Sequence, residues 1–521
     1  MRKNLLALSI AAMVGGLTAG AANAAVIATG STATGLTPTV TGVGHILAVP
    51  YFTTQGTNKT LLNIVNTDTT NGKAVKLRYR GAANSDDVFD ITIYLSPGDV
   101  WAAEVAADAD GFSRLVTNDN SCTLPSAADI KDANNGRFKT IRVQAGDKAQ
   151  TREGYIEILN TADIRPGTAA AGADSALYTA IKHVGGKAPC TSSVMDAQAV
   201  DLIDPAPAGA VATDAENDAY ARTRGYESPT GGLMANWTVV NVTGFASHSG
   251  EAVAVEAAGA GGNAGNIVWF PQTTDTPVYQ INGAAGTVAN FTADPLLRHA
   301  SFASQVANYD LPDLSTPYFN TVAGNPANIV TPEVQADGLS ATLATSSVTN
   351  EYLTAAGFST DWVFSMPTRR YAVAIGYHLP AANRLMLRGG VGNAYFNAAN
   401  TAINGDANRA CVTPGAMRGY DREEQTKNTF VISPDTNIKF CGETNVLSFN
   451  NAGDSVLGAT IARSNLNTGS GLGTEGWFSI KTPAGANPGA GLVNGLPIIG
   501  YAAAKVSGAN LGGTWKHRTA R

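Results

Sequence analysis

The chain has 521 residues, of which 15% are charged and 44% hydrophobic, with 56 Gly, 23 Pro and a formal net charge of -6. Ordinary soluble domains carry about 25% charged residues, and disordered chains combine more charge with far fewer aliphatics, so this is a large, core-forming chain. The acidic balance argues against nucleic acid or an anionic membrane as the main partner, because both are read through Lys and Arg clusters.

Arg2 and Lys3 supply a positive n-region, Leu5 to Leu17 an apolar h-region, and Ala22-Asn23-Ala24 a small-residue cleavage site. This pattern predicts a signal peptide over residues 1–24 and an exported product, with a location at the cell surface or outside the cell favoured over the periplasm. The apolar run is shorter than the roughly 20 residues a spanning helix needs, and no later segment approaches that length, so no transmembrane segment is expected after cleavage. A transmembrane barrel would show regularly spaced alternating strands of about ten residues, whereas the candidate strands here are irregularly spaced.

Residues 25–43 read as an extended leader or a first edge strand. From His45 the pattern changes: Ile46 to Phe52 and Leu61 to Val65 are apolar runs around Gln55-Gly-Thr-Asn58, which predicts a hairpin. Val75, Leu77 and Tyr79 alternate with Lys76, Arg78 and Arg80, predicting a strand with one buried and one basic, wet face. Val88 to Leu95 alternates again and stops at Ser96-Pro-Gly-Asp99, before Val100 and Trp101. Further strands are predicted at Thr140–Val143, Gly154–Leu159, Trp237–Val242, Ala252–Val255 and Ile267–Phe270. Residues 161–230 turn to Ala, Asp and Gly, with a short helix predicted at Ser175–Lys182, and read as an insertion within an N-terminal sandwich region spanning 44–272. Residues 273–350 read as a long connection with short helices such as Asp294–Ala307. The C-terminal β region, 351–521, carries strand signals at Asp361–Met366, Tyr371–Ile375, Val446–Phe449, Gly476–Ile480 and Pro497–Tyr501.

The fold expected is mostly β, an antiparallel β-sandwich of immunoglobulin-like or jelly-roll-like type with long loop insertions and a few short helices. The second β region either completes the same sandwich or forms its own. No repeat at a fixed period is visible.

Four cysteines, Cys122, Cys190, Cys411 and Cys441, fit an oxidising compartment and allow three pairings; the two pairs nearest in sequence, Cys122 with Cys190 and Cys411 with Cys441, are favoured. Asp86, Asp87 and Asp90 before a strand, and Asp108 with Asp110-Gly111, offer oxygen ligands for calcium, although the calcium-loop pattern is incomplete and solvated turn carboxylates are the expectation. Glu104, Glu153, Glu157 and Glu251 are available to a glycosidase, but nothing in the sequence pairs them, and they read as surface carboxylates. No nucleophile elbow exists, and Gly471-Leu-Gly-Thr-Glu-Gly476 precedes a strand rather than a helix, so no catalytic residue and no cofactor are expected. Arg78, Arg80, Arg369 and Arg370 read as wet strand faces. Of the tryptophans, Trp101, Trp237, Trp269, Trp362 and Trp477 read as core, and Trp515 as the exception.

Leu61-Leu-Asn-Ile-Val-Asn-Thr67, Val75-Lys-Leu-Arg-Tyr-Arg80, Leu95-Ser-Pro-Gly-Asp-Val-Trp101, Arg152-Glu-Gly-Tyr-Ile-Glu-Ile158, Thr360 to Tyr371, Asn445 to Asn450 and Gly495 to Tyr501 together resemble a group of exported proteobacterial proteins labelled only as cell surface proteins. The resemblance spans most of the chain and implies a surface-associated β protein, with no chemistry attached. The function expected is that of a non-catalytic structural or scaffold protein at the cell surface, working with itself, other surface proteins or polysaccharide. A polysaccharide-binding or adhesion module is the first alternative and a secreted hydrolase with a carboxylate site the second.

Overall fold

The computed structural model describes residues 26–27, 31–132, 136–140, 143–167, 173–198, 214–244, 246–259, 261–268, 318–376, 379–404, 409–428, 430–433, 439–449, 455–469, 471–482, 493–506 and 511–521. The predicted signal peptide, the helix expected at Asp294–Ala307, Trp269 and the middle of the strand expected at Thr140–Val143 lie outside the described residues.

Apolar alternation broken by Gly, Pro, Asn and Ser turns yields ten main strands in the first half: β1 (Ile46–Thr53), β2 (Asn58–Asn66), β3 (Gly72–Gly81), β4 (Asp87–Leu95), β5 (Val100–Ala107), β6 (Ser113–Val116), β7 (Glu153–Ile164), β8 (Leu233–Asn241), β9 (Ala246–Glu251) and β10 (Val253–Ala258). They pair antiparallel in two sheets, β10-β1-β7-β3-β4 and β9-β8-β2-β5-β6, the first extended at its ends by Gly35–Pro38 and Cys122–Leu124. Leu47, Val49, Leu77, Ile91 and Ile156 of one sheet meet Leu62, Ile64, Trp101, Val105 and Trp237 of the other in a shared core, which makes an antiparallel β-sandwich.

The expected hairpin at Gln55–Asn58 is corrected. β1 and β2 belong to different sheets, and the turn carries the chain across the sandwich. Thr60 pins this corner: its Oγ1 accepts the Thr53 N–H at 2.9 Å and donates to the Thr53 carbonyl at 3.0 Å. A short polar turn between two apolar runs carries no signal that separates a hairpin from a corner.

The second half follows the same path. β11 (Ser347–Leu353), β12 (Phe358–Ser365), β13 (Met417–Asp421), β14 (Thr426–Lys427), β15 (Thr444–Phe449), β16 (Arg463–Asn467), β17 (Glu475–Lys481), β18 (Ile499–Val506), β19 (Leu511–Lys516) and β20 (Arg518–Ala520) form sheets of order β20-β11-β17-β13-β14 and β19-β18-β12-β15-β16. Each order is that of the first half with ten added to every label. The Thr60 corner recurs at Thr360, whose Oγ1 accepts the Leu353 N–H at 3.0 Å and donates to the Leu353 carbonyl at 2.8 Å. Among the described residues the departures are at the edges: β15 and β16 run parallel while β5 and β6 run antiparallel, and Val431–Ser433 adds a further strand beyond β16. Val348, Tyr352, Phe478 and Ile480 face Trp362, Phe364, Leu447 and Phe449 across the second core.

The halves are fused rather than tethered. Val363, Val446, Tyr501 and Ala503, on the far face of the sheet containing β12, β15 and β18, enter the first core. Trp237 and Tyr501 lie with ring centroids 4.5 Å apart, and the corresponding edge strands β9 and β19 meet, with Ser249 N–H donating to Thr514 Oγ1 at 3.2 Å. The outer face of the first sheet is covered as well: by α1 (Ala176–Ile181), whose Leu177 and Ile181 pack on Ala74 and Ile164, and by α4 (Pro332–Leu343), whose Ala336 and Leu339 pack with Ala48 and Leu159; α2 (Ser192–Gln198) and α3 (Asp214–Thr223) complete the insertion. Cys122 is joined to Cys190, tying that insertion to the sheet edge, and Cys411 to Cys441, which sit directly opposite on paired strands.

Gly154 on β7 and Gly476 on β17 occupy the same register position, opposite Phe52 and Tyr352 respectively, and a methyl group at either would run into a neighbouring backbone carbonyl, Arg80 or Tyr420. Gly338, inside α4, has only the Phe319 ring at 3.6 Å. Gly154→Ala is therefore expected to destabilise by about 3 kcal/mol through overpacking, and Gly338→Ala to stabilise by about 0.5–1 kcal/mol through helix propensity and lost chain entropy. Urea unfolding of the two variants checks the opposite signs.

Candidate functional site

The hexapeptide Glu153-Gly-Tyr-Ile-Glu-Ile158 on β7 is echoed by Glu475-Gly-Trp-Phe-Ser-Ile480 on β17. In both, the aliphatic and Phe positions enter a core, and the intervening positions face the outside of their sheet. The two outer faces have opposite fates.

On the first half the outer face is closed. Arg78 and Arg80, expected on a wet face, are buried, because Arg369–Ala372 and Glu443 of the second half pack over them. Glu157, also expected at the surface, lies between them: Arg78 Nη2 is 3.0 Å and Arg80 Nε 3.1 Å from its Oε2, and Tyr371 Oη donates to its Oε1 at 2.9 Å. Burial alone would raise the Glu157 carboxyl, but Arg80 and Arg78 outweigh it and hold it below the usual carboxylate range. Arg369 Nε reaches Glu443 Oε2 at 2.6 Å, and the Arg370 N–H donates to Glu443 Oε1 at 2.6 Å; burial pushes that carboxyl up against the pull of Arg369. Glu153, fully buried, accepts from Tyr51 Oη at 3.0 Å, Gln55 Nε2 at 3.1 Å and the Thr460 N–H at 2.9 Å. Glu153, through Thr460, and Glu157, through Tyr371, are clamps between the halves, and Glu443 fixes Arg369 and Arg370 within the second half.

On the second half the equivalent positions are open. Register places Glu351, Trp477 and Tyr420 in one row across β11, β17 and β13, and Thr349, Ser479 and Arg418 in the next. Trp477 stands where Tyr155 stands in the first half, Tyr420 where Arg80 stands and Ser479 where Glu157 stands. Trp477, expected in the core, is 40% exposed and stacks on Tyr420 with centroids 4.2 Å apart and planes 12° apart. Arg418 donates to Tyr420 Oη at 3.3 Å and Thr349 to Ser479 Oγ at 3.3 Å. Trp515 is exposed too, whereas Trp101, Trp237 and Trp362 are buried.

The carboxylates considered for calcium fall in two places. Asp86 and Asp87 are buried around the β3–β4 turn, and Asp90 pairs with Lys76 across the strands. Asp108 and Asp110 do come together, on the guanidinium of Arg137, at 2.6 and 2.5 Å. Among the described residues no group of three or more His, Cys, Asp or Glu side chains is placed to hold a metal ion. Glu104 pairs with Lys59 at 2.9 Å. A Ser, His and Asp do meet beside a cleft lined by His183 and Asp99: Ser96 Oγ is 2.9 Å and Asp99 Oδ2 3.6 Å from the same His183 Nδ1. A proton relay needs the two partners on opposite ring nitrogens, so this arrangement does not activate Ser96. Among the described residues no helix is long and apolar enough to cross a membrane. Compared with protein-family models, curated proteins and solved structures, the chain matches none.

Removing the Glu157 carboxylate leaves two buried guanidinium groups without their shared anion. Glu157→Gln is expected to cost about 3–5 kcal/mol, and Ser479→Ala, at the same position of the open face, less than about 0.5 kcal/mol; equal losses in urea unfolding would contradict the closed and open assignment.

Two buried histidines set a pH dependence. His45 Nε2–H donates to Pro229 O at 3.0 Å while its Nδ1 accepts the Ala257 N–H at 3.2 Å, and His517 Nε2–H donates to Val363 O at 2.8 Å while its Nδ1 accepts from Asn350 Nδ2 at 3.0 Å. Each ring is satisfied only when neutral, and burial lowers His45 to about 4 and His517 to about 3. The unfolded chain takes up these protons below its ordinary value of about 6.5 and the folded protein does not, so stability is full above that pH and falls as the pH drops toward 4, by up to about 1.4 kcal/mol per pH unit for each ring. Unfolding measured between pH 7 and 4 checks this, with His517→Gln expected to flatten the slope.

Proposed function

We propose that the protein is an exported, surface-associated scaffold that works through folded surfaces rather than turnover, and that it belongs with the exported surface proteins its sequence resembles. The observation that carries this reading is the fusion of two sandwiches of the same path by a shared core and hydrogen bonds to buried carboxylates, which spends one outer sheet face on rigidity and leaves the corresponding face free. A catalyst needs a few groups converging on one reacting atom. Here Glu153 accepts the Thr460 N–H and Glu157 the Tyr371 hydroxyl across the junction, and Glu443 is committed to Arg369 and the Arg370 N–H within the second half. The residue 1–24 pattern and two disulfides fit an oxidising destination. Protease treatment of intact cells, with N-terminal sequencing of the product, tests the reading: the mature chain should begin at Ala25 and be cleaved from outside. A chain retained in the cytoplasm, or protected from external protease in intact cells and released only with the periplasm, would overturn it.

A further inference from the structure

We infer that the open face of β11, β17 and β13 is a binding site for a neutral, β-linked pyranose chain, with Trp477 as its stacking residue. The closed face shows what folding alone asks of these positions: Tyr155 is buried with its hydroxyl 2.5 Å from Ser85 Oγ, and Arg80 is paired to Glu157. On the open face the same two positions carry an aromatic pair in contact with water. An indole left 40% exposed forgoes much of the burial that makes Trp valuable to a core. Tyr420 covers one indole face and fixes the ring, and because Tyr420, Trp477 and Glu351 lie in one row, the other face is turned toward Glu351. A pyranose presents a row of weakly positive axial C–H groups that suits the negative face of an aromatic ring, and equatorial hydroxyls that need donors and acceptors around it. Glu351, Thr349, Ser479 and Arg418 supply both kinds within one strand spacing.

Charge selects among polymers. Arg418, Lys481 and Arg518 are exposed on this face and offset in part by Glu351, while Arg422 is already paired with Glu475 and Glu423. Among the described residues these cations are set apart on different strands, Arg418 and Arg518 with Thr349 and Ser479 between them, and form no continuous stripe, so an uncharged chain fits better than a polyanion. A second copy of the protein fits less well: a stable protein interface buries about 800 Å² per partner around an apolar centre, and this face offers one aromatic pair in a polar field.

Affinity electrophoresis of the mature protein through gels containing hydroxyethyl cellulose, laminarin or glycol chitin, with alginate as the polyanion, tests the site, alongside fluorescence titration with cellohexaose and chitohexaose. Retardation by at least one neutral polymer is expected, reduced about tenfold in affinity by Trp477→Ala and less by Trp477→Phe, and unchanged by Trp515→Ala. Because Trp477 lies half outside the fold, the variant should unfold as the parent does, which circular dichroism checks. Retardation by none of the three neutral polymers, full binding by Trp477→Ala, or binding to alginate alone that depends on Arg418 would each overturn the inference, as would loss of self-association on Trp477→Ala without loss of glycan binding. These measurements are made in vitro and do not depend on where the cell places the protein, so failure here leaves the scaffold reading standing, and failure of surface localisation leaves the binding site standing.

Discussion

The Arg78–Glu157–Arg80 group is the constraint on which the arrangement of the two halves depends. A guanidinium taken out of water costs several kcal/mol unless an anion and further acceptors surround it. β3 carries cations on the face opposite Val75, Leu77 and Tyr79, and the whole strand is buried. The first sandwich supplies Glu157, but Tyr371 and the cover of Arg369–Ala372 come from the second. Separating the halves would wet one side of this group, strip Glu157 of the Tyr371 hydroxyl, and expose Val363, Val446 and Tyr501 from the first core. The polar junction and the apolar one therefore hold together, and the register between the halves is set by the directional part of the pair.

Two sandwiches of one path need not have equal surfaces. The first half places α1 over the outer face of its first sheet, and α4 covers it together with Tyr371 and Ile499 of the second half. Among the described residues the second half has no such cover on the sheet containing β17, and its outer positions are accordingly Thr349, Glu351, Ser479, Lys481 and Arg418. The same backbone plan thus serves as an internal wall in one copy and an external surface in the other, and the side chains differ where the solvent differs. Contact between β9 and β19, at Ser249 and Thr514, which occupy corresponding places in their strands, puts the halves near a two-fold relation.

The strand runs were legible because alternation survives wherever at least one face is apolar: β4, β7, β8, β12 and β17 coincide with predicted runs. The sandwich class followed from their density and turn chemistry. What the sequence hid was long-range. Alternation of Lys76, Arg78 and Arg80 with apolar residues is the same whether the basic face meets water or a carboxylate on the next strand, so β3 read as half wet. The doubling was hidden because the insertions differ in length, leaving only Glu-Gly-aromatic on β7 and β17 and the Thr60 and Thr360 corners as traces. β11, β19 and β20 were read as connection or tail since their residues are polar or Gly-rich, and α4 lay within the stretch read as connection. The disulfides were easier, because pairing nearest neighbours closes the shortest loops.

Exposure of Trp477 is then the feature that packing does not explain. A sheet face left open is stable when its side chains are short or charged, and charged or very short edge strands keep it from pairing with other chains. β14 is two residues long and β20 three, with Arg518 at its start, so the edges of this sheet are blunted in that way. An aromatic stack in the middle of such a face works against that protection. Replacing Trp477 by the Thr or Ser of its neighbours would make the surface less adhesive and cost the core nothing, since Phe478 and Ile480 on the same strand already fill it. Folding has no use for the ring at that position, and the rigid mounting on Tyr420 suits a residue whose exposed face is itself the working part.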